Sequence, residues 1–284
     1  MIDDMPALNQ LLPSVILEEF IQNYWPTRLF IQDESVGHEL FATDLSQIMD
    51  LKTLVPLHVQ SVRVHQMAKD GYRPTIVTRA EFGQVDLSAP WSIERVQNYC
   101  PSIDSLLRDL AEWLWIPLDR ISASIFVSPG SNGLPWHFDP VEVLIIPLIG
   151  KKIWFLKENV VVRFPFHKYV PSQSKPHPDL AAQCQCPLRT PELYDCIWEG
   201  KPGSVCFLPR GWWHKTEAKI RSVSLSIGIN TPRLMDVLLS GIERLLGGSE
   251  RWREPVSKSV LKCTGISEAL ADIAVALGKP TSQS

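Results

Sequence analysis

Between residues 121 and 229 the helical period of this chain gives way to a period of two, carried by a series of short apolar segments. The segments ISASIFV, VEVLIIPLI, KIWFL, VVRF, SVCFLP and SVSLSIGI follow one another, separated by Pro, Gly and polar residues. Alternation at period two marks β-strands, and many short strands at close spacing predict a sandwich or small barrel. Helical spacing lies on both sides of this region. Residues 13–25 set Val15, Ile16, Phe20 and Tyr24 on one face and stop at Pro26, after which RLFIQ reads as a short strand. Residues 102–115 set Ile103, Leu106, Leu107, Leu110, Trp113 and Leu114 on one face, with Ser102 as the expected N-cap. After Asn230 the helical period returns in Leu234, Leu238, Ile242 and Leu245, and again in Ile266, Leu270, Ile273 and Leu277. The expected architecture is mainly β with helical additions: a β-domain over residues 1–230 and a C-terminal helical region over 231–284. The apolar faces of that region need the barrel or a second copy to cover them, and a homodimer through these helices is one arrangement that would do so.

Composition narrows the function classes. An apolar content of 45% with 21% charged residues is that of an ordinary globular protein. The net charge of −3, with no concentrated Lys/Arg stripe, argues against direct nucleic-acid binding. The polar, acidic start MIDDMPALNQ is unlike a secretory signal, and the apolar runs fall short of the roughly 20 residues that cross a bilayer, so a cytoplasmic protein without membrane contact is expected. Six cysteines in 284 residues do not make a disulfide framework.

The stretch LPWHFDPVEVLIIPLIGKKIWF, residues 134–155, places a histidine and an aspartate two apart within strand-like sequence. Side chains at i and i+2 of a strand share a face, so His137 and Asp139 project together and can take adjacent positions on one metal ion. The best third ligand is His214 in PGSVCFLPRGWWH, where 205–208 reads as a strand, Pro209-Arg210-Gly211 as a tight turn and Trp212-Trp213-His214 as the return of a hairpin. Two histidines and one carboxylate on one face of a metal, with positions left open, describe a non-haem Fe(II) oxygenase site. Lys152 shares strand parity with Trp154 and is expected inside. A buried ammonium is costly unless an anion meets it, and an anionic co-substrate beside the metal would serve. Lys151 has the opposite parity and is expected in solvent. In SVSLSIGI one face is Val223, Leu225, Ile227 and Ile229, and the other is Ser222, Ser224, Ser226 and Gly228, which suits the wall of a polar pocket.

Taken together, these segments resemble the Jumonji-C dioxygenases, cupin-like Fe(II)/2-oxoglutarate enzymes, and among them the bacterial ribosomal-protein hydroxylases. FVSPGSNGLPWHFDPVEVLIIPLIGKKIWF is similar to that family's H-x-D and G-[KR]-[KR]-x-W stretch, PGSVCFLPRGWWH to its second-histidine motif, SVSLSIGI to its closing strand and YWPTRLFIQ to its entry. The resemblance covers about residues 15–230. It implies a double-stranded β-helix (jelly-roll) core with N-terminal helices. It also implies Fe(II) held by His137, Asp139 and His214, 2-oxoglutarate paired through its distal carboxylate with Lys152 and hydrogen-bonded by Ser226, and O2 as oxidant. The implied reaction hydroxylates a C–H bond of an amino-acid residue, in a protein, a peptide or a free or carrier-bound amino acid, and releases succinate and CO2. The chain departs from the family pattern at Pro147, where relatives often have Gln, and at Ser204, where they have Asp. The residues after 230 suffice for helices but are short for the dimerisation region and winged helix of the ribosomal-protein hydroxylases.

Other readings stand beside this one. The barrel can be a catalytically silent binding or scaffold protein that uses its C-terminal helices for a partner, or a zinc cupin hydrolase or isomerase. The four residues His137, Asp139, His214 and Lys152 favour the oxygenase. Trp136 borders the ligand set and is assigned to substrate contact, with Glu142 and Arg210 as rim residues. The stretch 165–203 is expected to be a long surface loop. Its His167, His177, Cys184, Cys186 and Cys196 have a spacing that suits zinc poorly, since C-x-C is a weak tetrahedral chelate.

Overall fold

The alternating segments form strands in a computed structural model that describes residues 5–33, 59–68, 71–84, 88–130, 133–171, 175–184, 186–255, 271 and 274–275. The strands are β1 (Phe30–Gln32), β2 (Ser61–Ala68), β3 (Gly71–Thr78), β4 (Trp91–Glu94), β5 (Ile121–Ser128), β6 (Glu142–Ile149), β7 (Lys152–Lys157), β8 (Cys196–Gly200), β9 (Val205–Leu208), β10 (Trp213–Glu217) and β11 (Ser222–Ile229). Eight of them form one sheet in the order β1-β9-β6-β11-β5-β4-β2-β3, and β10-β7-β8 form a second. All pairings are antiparallel. This is the jelly-roll core with helical additions. By internal contacts the chain divides into two units, Met1–Thr231 and Pro232–Ser284.

Both faces of the large sheet are used. One face packs on helices. Ile121, Ala123, Ile125 and Val127 of β5 and Val223, Leu225, Ile227 and Ile229 of β11 join Ile103, Leu106, Leu107 and Leu110 of the helix Pro101–Leu114 in one core. The other face looks toward the small sheet. β6 therefore reads as a nearly unbroken apolar run, because Leu144, Ile146 and Leu148 enter the helical core while Ile145 enters a second cluster with Trp154, Leu156 and Trp198.

Several local expectations need correction. Pro101 takes the first position of its helix, where its missing N–H costs nothing, so Cys100 occupies the N-cap and Ser102 lies inside. The helix Ser14–Asn23 buries Leu17 and Phe20 and leaves Val15 exposed. VVRF is not a strand: Asn159 Oδ1 accepts the amide N–H groups of Val161 and Val162, and this side-chain-backed turn bends the chain away from any ladder. The stretch 165–203 is more than a loop, since it contains the short helix Pro178–Gln183 and β8, which pairs with β7.

In the second unit, the helix Leu234–Leu246 is capped by Asp236, whose Oδ2 accepts the Arg233 backbone N–H at 2.9 Å, and it carries Leu234, Leu238 and Leu245 exposed. The expected helical face Ile266, Leu270, Ile273 and Leu277 falls outside the described residues. Among the described residues no helix is long and apolar enough to cross a membrane.

Candidate metal centre and its cavity

His137 and His214 sit opposite one another in an isolated antiparallel bridge and exchange both backbone hydrogen bonds, His137 N–H to His214 O at 3.0 Å and His214 N–H to His137 O at 2.8 Å. The pair lies at the edge of β10, whose other side pairs with β7, His214 opposite Leu156. Two residues apart on one face, Asp139 follows His137. Its Oδ2 lies 3.8 Å from His137 Nε2 and 3.5 Å from His214 Nε2. One ligand atom from each of the three lies within 4.8 Å of the other two.

The segment bearing His214 is not a hairpin return. β9 belongs to the large sheet, beside β1 and β6, while β10 belongs to the small one, so residues 209–212 cross between sheets. Gly211 makes the crossing with φ 84°, where a Cβ would meet Pro165 Cδ at 2.5 Å, and its N–H donates to the Asp139 carbonyl at 3.0 Å. The crossing thus ties the chain before His214 to the backbone of a second member of the set.

The orientation of both rings follows from their partners. His137 Nδ1 faces Pro135 O at 2.7 Å and His214 Nδ1 faces Trp212 O at 3.0 Å. A carbonyl only accepts, so each Nδ1 carries the proton and each Nε2 lone pair points toward Asp139. Metal-binding histidines are commonly fixed in this way. Burial, reinforced by His214 and Lys168, holds the His137 imidazole well below its ordinary pKa and therefore neutral. Burial alone would raise the Asp139 carboxyl. The Lys168 ammonium, 2.9 Å from Oδ1, with the two facing histidine rings, outweighs it and holds the group well below the usual carboxylate range. A neutral His137 imidazole and an ionised Asp139 carboxylate are the protonation states a dication requires of these two ligands.

The three side chains open into a cavity of about 450 Å³ between the sheets. Lys152 is buried in its wall and has no carboxylate partner among the described residues, its Nζ lying 5.8 Å from the Trp154 ring centroid. Burial pushes this ammonium down to about 8. Lys151, of opposite parity, is exposed and pairs with Glu199 at 2.9 Å. Ser226 and Gly228 also line the cavity, whereas Ser222 and Ser224 are buried without reaching it.

Three expectations fail. Trp136 does not line the cavity. Strand alternation turns it away from His137, and it packs with Phe138, Tyr169 and Trp213 while Lys215 Nζ lies 5.8 Å from its ring centroid. Glu142 and Arg210 are not at the rim. They form a buried two-bond ion pair, Nε to Oε1 and Nη2 to Oε2, each at 3.1 Å, and Arg210 Nη2 also donates to the Thr231 carbonyl at 2.9 Å. The pair fastens the start of β6 and the segment after β11 to the inter-sheet crossing. Arg210→Ala leaves Glu142 buried and uncompensated, and chemical denaturation should show a loss of about 3–5 kcal/mol.

Two groups of cavity residues were not anticipated. Lys168 holds the outer oxygen of Asp139. The wall formed by β2, β3 and β4 contributes His65, whose ring nitrogens contact Tyr72 OH at 2.5 Å and Ser92 Oγ at 2.9 Å, together with the Arg63–Glu94 ion pair at 2.6 Å. Burial, aided by Lys168, Arg63 and Lys152, pushes His65 down to about 3, and burial raises Tyr72 to about 12, so both are neutral near pH 7. The alternation in SVRVHQMA was a usable signal for this wall.

A jelly roll that presents two histidines and one carboxylate to a cavity offers the donor set that a divalent metal requires. Comparison with known families agrees with that donor set: residues 103–237 match the JmjC domain family. The relatives divide by coverage. The uncharacterized protein YxbC of Bacillus subtilis is 24% identical over 257 residues, 87% of this chain and 78% of that protein. Ribosomal oxygenase 2 of Mus musculus is 25% identical over 229 residues, 75% of this chain but only 45% of that protein, so this chain spans under half of it. Among solved structures, the Escherichia coli ribosomal oxygenase YcfD in complex with cobalt and 2-oxoglutarate superimposes with a TM-score of 0.58 at 16% identity, covering 95% of this chain and 68% of that one. That likeness establishes a shared fold.

Proposed function

We propose that the protein is an Fe(II)- and 2-oxoglutarate-dependent oxygenase that hydroxylates a C–H bond of an amino-acid residue in a protein or peptide. The observation that carries this reading is the combination in one cavity of the His137–Asp139–His214 set with a buried Lys152 that lacks an anionic partner. The donor set fits Fe(II), because both Nε2 lone pairs and Asp139 Oδ2 converge and no fourth protein ligand among the described residues closes the site. When bound, the iron and 2-oxoglutarate supply oxidative chemistry in which O2 is consumed, 2-oxoglutarate becomes succinate and CO2, and one oxygen atom enters the substrate C–H bond.

The chain's own residues do the rest. Lys152 neutralises the far carboxylate of the co-substrate and sets its depth in the cavity, with Ser226 of β11, on the large sheet, as a hydrogen-bond partner. Pro135 O and Trp212 O hold the imidazoles in the ligating tautomer, and Lys168 keeps Asp139 ionised. The apolar side chains of Phe126, Val141, Val143 and Ile145 in the cavity lining limit water around the reacting centre. Support for a protein substrate comes from the mouse and Escherichia coli relatives, both called ribosomal oxygenases, and support for the co-substrate from the 2-oxoglutarate complex of the latter. A silent scaffold would have no use for a buried, unpaired Lys152.

The test is anaerobic addition of Fe(II) and 2-oxoglutarate, which should give a weak visible charge-transfer band, followed by succinate release with O2 across amino acids, peptides and ribosomal proteins. A folded protein that shows no band overturns the assignment. A band without succinate release for any peptide or protein overturns the substrate class alone.

A further inference from the structure

The two remaining histidines among the described residues that lie outside the cavity, His167 and His177, come together with Asp179 on the surface. Nothing in the oxygenase reading uses them. Their rings stack with centroids 3.8 Å apart at 29°. Asp179 Oδ2 lies 3.2 Å from His167 Nε2 and 3.6 Å from His177 Nδ1. Bonds of about 2.0 Å arranged tetrahedrally separate neighbouring ligand atoms by about 3.3 Å, so both distances are those of donors ready to share one small dication.

We propose that His167, His177 and Asp179 form a second metal site, on the surface, for a borderline dication of the Zn(II) type. Imidazole nitrogen suits such ions, and a carboxylate supplies the balancing charge. The three side chains are half-exposed, leaving room for water to complete the coordination. In the metal-free arrangement His177 Nδ1 accepts the Asp179 N–H at 3.2 Å, and the ion would take the lone pair that this bond engages, freeing the N–H to water. The cysteines of this stretch do not join the cluster. The Cys184 thiol instead donates to the Leu180 carbonyl at 3.1 Å.

The position gives the site a consequence. His167 directly precedes Lys168, whose ammonium holds Asp139 at 2.9 Å, and Tyr169 exchanges backbone hydrogen bonds with Phe138, both at 3.1 Å. A metal bridging His167 to the start of the helix Pro178–Gln183 would pin the segment that carries Lys168 over the inner ligand set. It would act as a structural clip, separate from the catalytic ion.

Equilibrium dialysis against Zn(II) tests this on the full chain, without reference to activity. Wild type should retain two equivalents, His177→Ala one, His214→Ala one and the double variant none. His177 is exposed, so its loss leaves the core intact, and His167→Gln should repeat the His177→Ala result. Zn(II) should also slow proteolytic cleavage within residues 165–185 in His214→Ala and fail to do so in the double variant. The proposal is overturned if His177→Ala and His167→Gln retain as much Zn(II) as wild type, or if His214→Ala retains none. Loss of the inner equivalent alone would count against the oxygenase centre and leave the surface site standing.

Discussion

His214→Ala is expected to abolish both the charge-transfer band and turnover while leaving the fold in place. His214 is one of three candidate protein donors among the described residues, and its ring is already aimed by the Trp212 carbonyl. Loss of an outer-sphere partner of a metal ligand costs roughly 10–100-fold in affinity or activity, so loss of the ligand itself should exceed about 100-fold in Fe(II) affinity. The backbone bonds that bridge position 214 to 137, and those of β10 to β7, do not need the imidazole. Circular dichroism should therefore remain that of wild type. A variant that titrates Fe(II) with wild-type affinity would remove this residue from the metal centre.

Lys152→Met should separate binding from stability. The substitution keeps an unbranched side chain of similar length and removes the charge. Truncating one partner of a buried charge pair costs about 2–5 kcal/mol, so 2-oxoglutarate affinity should fall by about 30-fold to about 5,000-fold. Without co-substrate the same change relieves the cost of an unpaired buried ammonium, and the melting temperature should rise. The wild type carries a matching pH signature. The dianion binds the protonated lysine, whose pKa in the free protein is pushed down to about 8. Affinity should therefore be flat below pH 8 and weaken as pH rises above it, by up to tenfold per unit, with a proton taken up on binding. A Lys152→Met protein that binds 2-oxoglutarate as tightly as wild type, or a pH-independent affinity between 7 and 9.5, would count against this role.

How much of this was legible follows from what strand periodicity encodes. Parity alone turns His137 and Asp139 to one side, Lys152 inward and Lys151 outward, and the structure keeps all four there. Parity also turns Trp136 away from His137, and there it packs outside the cavity. Which strands become neighbours was not local information. The β9–β10 segment looked like a hairpin, and only the sheet pairing shows that it crosses from one sheet to the other. Glu142 and Arg210 lie 68 positions apart, and nothing in either neighbourhood announces their pairing. The same holds for Lys168, which lies in a polar stretch without periodicity yet reaches Asp139. The Asn159 turn that cancels the VVRF strand was within reach, because a short amide side chain beside a Val run competes for its N–H groups.

The reciprocal main-chain bonds between His137 and His214 have an evolutionary corollary. Peptide groups hydrogen-bond alike whatever side chains they carry, so the juxtaposition of the two imidazoles is insulated from mutations elsewhere in the cavity. Strands β2, β3 and β4, which precede the segment shared with the JmjC domain family, supply His65, Tyr72 and Ser92 on the wall. Selection can re-tailor that wall without disturbing the His137–His214 pair, much as a tool keeps its handle while its bit is exchanged.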